Sequence, residues 1–173
     1  SGNDLLSGKA GDDELFGGSG EDSIFGGFGK DQLFGGSGVD YLIGEEDDDE
    51  LFGGSGDDFL YGEEGDDQIF SGGGDDLARG GDGNDFISGG SGQDFLYGGP
   101  GKDKLIIEKG GGLLKGEAGN DTLFVSTEFD EEESRYYVEG FELGDSLALS
   151  ASIETVRSGV FANAQVEFQA IEL

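Results

Sequence analysis

At 173 residues the chain has the length of one ordinary domain, but it carries 38 glycines, 40 acidic and only nine basic residues, for a formal charge of −31. So much uncompensated charge and glycine predicts disorder unless something cationic enters the folded state. Nine basic residues cannot form a phosphate-neutralising footprint, which excludes nucleic acid as a main partner, and no stretch is long or apolar enough for membrane insertion.

From the first residues a repeat dominates. The sequence starts at Ser1 inside a repeat and without an initiator Met, as expected of a processed or excised piece. Aspartate then recurs at every ninth position: Asp4, Asp13, Asp22, Asp31, Asp40, Asp49, Asp58, Asp67, Asp76, Asp85, Asp94, Asp103 and Asp121, with a single miss at Gly112. Two positions after each place stands an aliphatic residue, from Leu6 and Leu15 to Leu123, and two before it a glycine, Asp47 being the exception. A well-formed copy runs Gly53-Gly54-Ser55-Gly56-Asp57-Asp58-Phe59-Leu60-Tyr61. Its glycine-rich part predicts a tight turn with positive φ. Its last three residues have the out-in-out pattern of a very short strand. Turn plus strand at fixed period predicts a solenoid in which each copy buries its apolar residue only against its neighbours. Hard carboxylate and carbonyl oxygens at fixed spacing suit calcium, so the thirteen aspartates are the candidate metal ligands.

In this pattern, residues 1–125 resemble the repeats-in-toxin (RTX) family, the parallel β-roll of bacterial secreted proteins. The resemblance implies an all-β, right-handed parallel β-roll with two nonapeptides per turn, hence about seven turns, and roughly ten to twelve calcium ions between successive turns. It implies that the aspartates and the carbonyls of the glycine loops hold them. It also implies export of the unfolded chain by a one-step bacterial exporter, with folding outside the cell. The sequence departs from the pattern where Glu45-Glu46-Asp47 replaces a glycine loop, where Ala78 is a small core residue, and at Lys109-Gly110-Gly111-Gly112. The site nearest Gly112 is expected to be weak or empty.

The acids preceding the ladder positions, Asp12, Glu21, Asp48, Asp57, Asp66 and Asp75, read as merely solvated. If two repeats make a turn, the outward positions form two files. One holds Phe16, Phe34, Phe52, Phe70, Ile106 and Phe124, broken by Ser88; the other includes Tyr41, Ile43, Phe59, Tyr61, Phe95 and Tyr97. Same-face aromatics stack and stabilise strands locally. Stripes of this length exceed what a lone domain usually exposes, and predict packing against another copy or another domain.

Residues 126–173 lack the glycine spacing and are expected to form a C-terminal β capping segment. Tyr136 to Val138 and Phe141 to Leu149 read as strands around a turn, Val166 to Ile171 as a last strand, and Glu128 to Glu133 as a solvated loop. Cysteine and histidine are absent, removing disulfides, thiolate sites and the usual general base and zinc ligand. No catalytic residue and no other cofactor is predicted. Two functions remain open. One is a secreted structural element (matrix, surface layer, filament or adhesin) that self-associates head-to-tail or laterally once calcium cancels its charge. The other is the export-and-folding module of a larger secreted enzyme or toxin. An uncovered first turn at Asp4 and Asp13 would favour the head-to-tail contact.

Overall fold

The computed structural model describes residues 1–126, 136–139, 144–150 and 165–167. Among these residues there are strands and turns and no helix. The first nine strands, from Leu5–Ala10 and Glu14–Ser19 to Gln68–Gly73 and Leu77–Asp82, are each six residues long and follow one another at the repeat period. Among these nine, consecutive strands do not pair. Each pairs in parallel with the strand two before and two after it, so Leu6 lies in register with Ile24 and Leu15 with Leu33. That offset means two repeats per turn, and the array is a parallel β-solenoid of about seven turns.

Two ladders result, one on each side of a thin core. Strand Phe86–Gly101 belongs to both: its first part pairs with Gln68–Gly73 and its second with Leu77–Arg79. Inward-pointing aliphatics from Ile24 to Leu123, two positions after each ladder place, are fully buried, as the period-two alternation of a strand requires. Ala78 keeps its place between Leu60 and Leu96 with no exposed surface.

Loops turn at glycines such as Gly18 and Gly20, with φ of 102° and 125°. Where Glu45-Glu46-Asp47 replaces a glycine loop, the chain keeps the same turn: Glu45 and Asp47 adopt φ of 85° and 77°. Left-handed backbone costs a side-chain-bearing residue about 1–2 kcal/mol, and the register of Glu45 with Gly27 and Glu63 holds it there.

The aromatic files lie as the two-repeat turn requires. Phe16, Phe34, Phe52 and Phe70 stack face to face at centroid distances of 4.7, 4.8 and 5.2 Å. At the Ser88 break, Phe70 turns to Phe86 instead, tilted by 49°. On the other side Tyr41 meets Tyr61 at 5.4 Å, and the Arg79 guanidinium lies over Tyr97.

Beyond the array both ladders continue. Tyr136–Glu139 pairs in parallel with Lys109–Gly119, and Ser146–Ser150 with Thr122–Ser126. The two segments therefore do not fold back on each other around a turn; each adds a rung to a separate open ladder edge, where a full row of backbone partners is available. Gln165–Glu167 adds a further strand to Ser146–Ala148. The stretch Glu128 to Glu133, and Phe141 to Leu143, lie outside the described residues.

Candidate metal centre

The ladder aspartates sit at the corners between the two strand stacks, just before each inward aliphatic. From Asp22 to Asp121 they are at most 2% exposed. Each uses its two carboxylate oxygens differently. Oδ1 accepts the backbone N–H of the aspartate one turn earlier. In one row Asp4 donates to Asp22, Asp22 to Asp40, Asp40 to Asp58 and Asp58 to Asp76, each at 2.8 Å, and Asp76 donates to Asp94 at 3.2 Å. In the other row the same bond runs from Asp13 through Asp31, Asp49, Asp67, Asp85 and Asp103 to Asp121, at 2.7–3.0 Å.

Oδ2 faces a different environment. At every ladder aspartate from Asp13 to Asp103 it is buried and accepts no hydrogen bond. A buried carboxylate oxygen without a donor is costly, and a row of them at one-turn spacing calls for a common cationic partner. Carbonyl oxygens lie beside them. A Cβ placed on Gly35 would fall 2.6 Å from Asp40 Oδ2 and 2.6 Å from the Gly53 carbonyl; on Gly53 it would fall 2.6 Å from Asp58 Oδ2 and 2.5 Å from the Ser71 carbonyl. Glycine therefore keeps open a pocket on which a carboxylate and a carbonyl of the next turn converge. Among the described residues no three acidic side chains meet at one point, so the donor set is one of mixed carboxylate and backbone carbonyl oxygens. That hard-oxygen set fits calcium, whose flexible coordination accepts both kinds of ligand.

Burial has an electrostatic signature. It raises the carboxyls of Asp49, Asp58, Asp67, Asp76 and Asp103 to about 7 and those of Asp85 and Asp94 to about 6, against an ordinary 3.8. Desolvation is the main cause, and like charges in neighbouring turns add to it; the N–H from the previous turn opposes both. Asp31 and Asp40 move in the same direction.

Among the predicted residues, Asp4 differs: its carboxylate is half-exposed and lies 3.6 Å from the Ser1 ammonium. At Gly112 the first row stops, because a glycine has no carboxylate to offer Asp94. At Ser71 a serine takes the usual glycine place, and its buried hydroxyl has no hydrogen-bond partner. Asp145 was not singled out from the sequence. Its Oδ1 accepts the N–H of Asp121 at 3.0 Å, extending the second row by one rung, but 24 residues on instead of 18. The Gly144-Asp145-Ser146-Leu147 segment carries the aspartate-then-leucine spacing that could have revealed it.

The acids one position before the ladder are exposed, yet several are also bonded. Asp57 accepts the N–H of Asp75, Asp48 that of Asp66, Asp66 that of Asn84, and Asp12 that of Lys30, at 2.7–3.0 Å. The expectation of mere solvation missed this second row of bonds. Adjacent residues of an extended chain point to opposite sides, so these carboxylates reach the following turn's backbone from outside. Asp48 also pairs with the Lys30 ammonium, which pulls its carboxyl below the ordinary value.

A family model described as RTX calcium-binding nonapeptide repeat (4 copies) matches residues 1–33, 34–69, 43–78, 70–105 and 110–127, well over half of the chain. Neither a curated protein nor a solved structure matched significantly. The repeats found are the calcium-binding array alone; no catalytic domain was identified.

Proposed function

The chain belongs to the RTX calcium-binding nonapeptide-repeat family, and from that premise we propose that it is a secreted bacterial β-roll, folded by extracellular calcium and used as a structural, self-associating element. RTX repeats bind calcium and are typical of bacterial proteins that leave the cell by type I secretion. The ladder aspartates Asp13 to Asp103 and Asp121 are the proposed ligands, with Asp4 weaker for its exposure. Together with loop carbonyls they hold roughly ten to twelve ions between turns of a right-handed roll.

The single observation that carries this reading is the row of buried Oδ2 atoms with no donor, those of Asp13, Asp31, Asp40, Asp49, Asp58, Asp67 and Asp103 beside a carbonyl of the next turn. At low calcium those carboxylates repel one another and a thin core cannot order the glycine-rich chain. Divalent ions cancel the repulsion and bridge the turns, so binding free energy becomes folding free energy. Metal-free, the chain is an expanded polyanion suited to passage through an exporter; loaded, it is a rod.

Residues 126–173 act as the capping segment, since open ladder ends need cover. Exposed rings at Phe16, Phe59 and Phe95, at 58%, 41% and 47%, are the proposed lateral contacts between copies. Light scattering and electron microscopy at millimolar calcium test the reading. Assemblies that dissolve on chelation are expected, and Phe59→Ser with Phe95→Ser should disperse them. A calcium-loaded chain that stays monomeric at high concentration removes the self-associating role and leaves the export-and-folding role. A chain that binds no calcium removes both.

A further inference from the structure

We infer that at one corner of the roll an aliphatic side chain stands in place of an ion: Ile107, continued by Val125, fills the pocket that glycine, or at one turn Ser71, leaves open in the earlier turns. This rests on the reading of the aspartate rows as calcium sites and adds where, and how, one of those rows ends.

Each site couples a small residue to the aspartate five positions on, as Gly26 is coupled to Asp31, Gly35 to Asp40 and Gly53 to Asp58. A Cβ on any of these three glycines would lie 2.5–2.6 Å from the carboxylate Oδ2. Ser71, five before Asp76, shows that a short side chain is accommodated there; a bulky branched one would need the space the carboxylate holds. In one repeat both members of the couple change: position 107 is isoleucine and position 112, five residues on, is glycine. Either change alone would leave a fault. Isoleucine opposite an aspartate would collide with it, and glycine at both places would leave a hole lined by carbonyls.

Ile107 has no exposed surface and belongs to the hydrophobic core. Its register partner one turn on is Val125, 1% exposed, which is in turn in register with Leu149. The corner file thus reads Gly17, Gly35, Gly53, Ser71, Gly89 and then Ile107 and Val125. On the opposite corner the file keeps glycine through Gly98 and Gly116, and its aspartates persist to Asp121. The neighbouring loop is rebuilt to match. Glu108 replaces a loop glycine, and its carboxylate takes the Gly90 N–H at 2.7 Å and the Ser88 hydroxyl at 2.8 Å. Gly110, Gly111 and Gly112 all take positive φ. The core has spread into the corner where the metal row ends, so the two corners of the roll hold unequal numbers of ions.

The test compares Ile107→Ala with Asp58→Ala in the full chain, by native mass spectrometry of the calcium-loaded protein and by thermal melting at saturating calcium. Ile107→Ala should keep the wild-type number of ions and melt roughly 5–15 °C lower, with no recovery in excess calcium. Asp58→Ala should lose at least one ion and recover part of its stability as calcium is raised. If Ile107→Ala does not fold, Ile107→Val gives the same readings with a smaller drop. Loss of an ion from either Ile107 variant, or a melting temperature unchanged in both, overturns the inference while leaving the calcium reading intact. A wild-type chain that carries no calcium overturns the calcium reading itself.

Discussion

Asp57 and Asp58 are chain neighbours with the same side chain, and they belong to two rows that behave as different regions of the molecule. Asp58 lies in the inner row, 1% exposed, with Oδ1 bonded to the previous turn and Oδ2 without a donor. Asp57 lies in the outer row, exposed, and bonds the following turn through Asp75 N. Both tie turns together, in opposite directions along the rod. Of the two, only the inner row carries a buried oxygen without a hydrogen-bond donor. Residue type does not separate these rows; the side of the backbone on which each carboxylate falls does.

That contrast can be broken most forcefully by removing calcium at pH 8. Exhaustive chelation leaves the inner carboxylates charged, buried and uncompensated, so β-type circular dichroism should be lost and should return cooperatively with millimolar calcium. A β spectrum that survives chelation would mean that the inner row needs no ion.

Protons should partly substitute. In the metal-free fold, inner carboxyls at about 6–7 lie above their ordinary 3.8. The folded state therefore binds more protons than the unfolded one between about pH 4 and 7. Stability from this source is complete below the ordinary value and is lost as pH rises through the raised one. Without calcium, the β signal should be stronger at about pH 4–5 than at pH 8. With calcium present the sign reverses, since ligands must be deprotonated: acidification should raise the calcium concentration needed to fold. Calcium titrations at pH 5.5 and 7.5 read this directly.

Single substitutions sharpen the comparison further. Asp58→Ala removes a charge-assisted bond, a loss of about 1.5–3 kcal/mol before any ion is counted, and should move the calcium midpoint upward. Asp57→Ala removes an exposed bond and should cost no more than about 0.5–1 kcal/mol. Urea unfolding at fixed calcium measures both, and equal effects would erase the distinction between the rows. The smallest effect is expected from Lys30→Ala, which removes only the exposed pairing with Asp48, a contact that water and salt screen.

The sequence by itself determined the solenoid. A strict period with glycine, aspartate and leucine in fixed phase leaves one solution, in which turns, inward residues and candidate ligands follow from position in the repeat, and the family match covers that same stretch. It also determined that residue 112 offers no carboxylate. What only the tertiary structure decided is what depends on residues stacked from different turns. The outer bonds join Asp57 to Asp75; a single repeat contains just one end of such a bond, so its composition reads as solvated surface. Asp145 joins the inner row after a longer step, and a search at constant period passes over it. Ile107 looks like an ordinary strand aliphatic until its register with Val125 is seen together with the missing carboxylate five positions on. Local pattern encodes which way a side chain points; whether it meets an ion, a backbone N–H or another side chain is set by the turn above and the turn below.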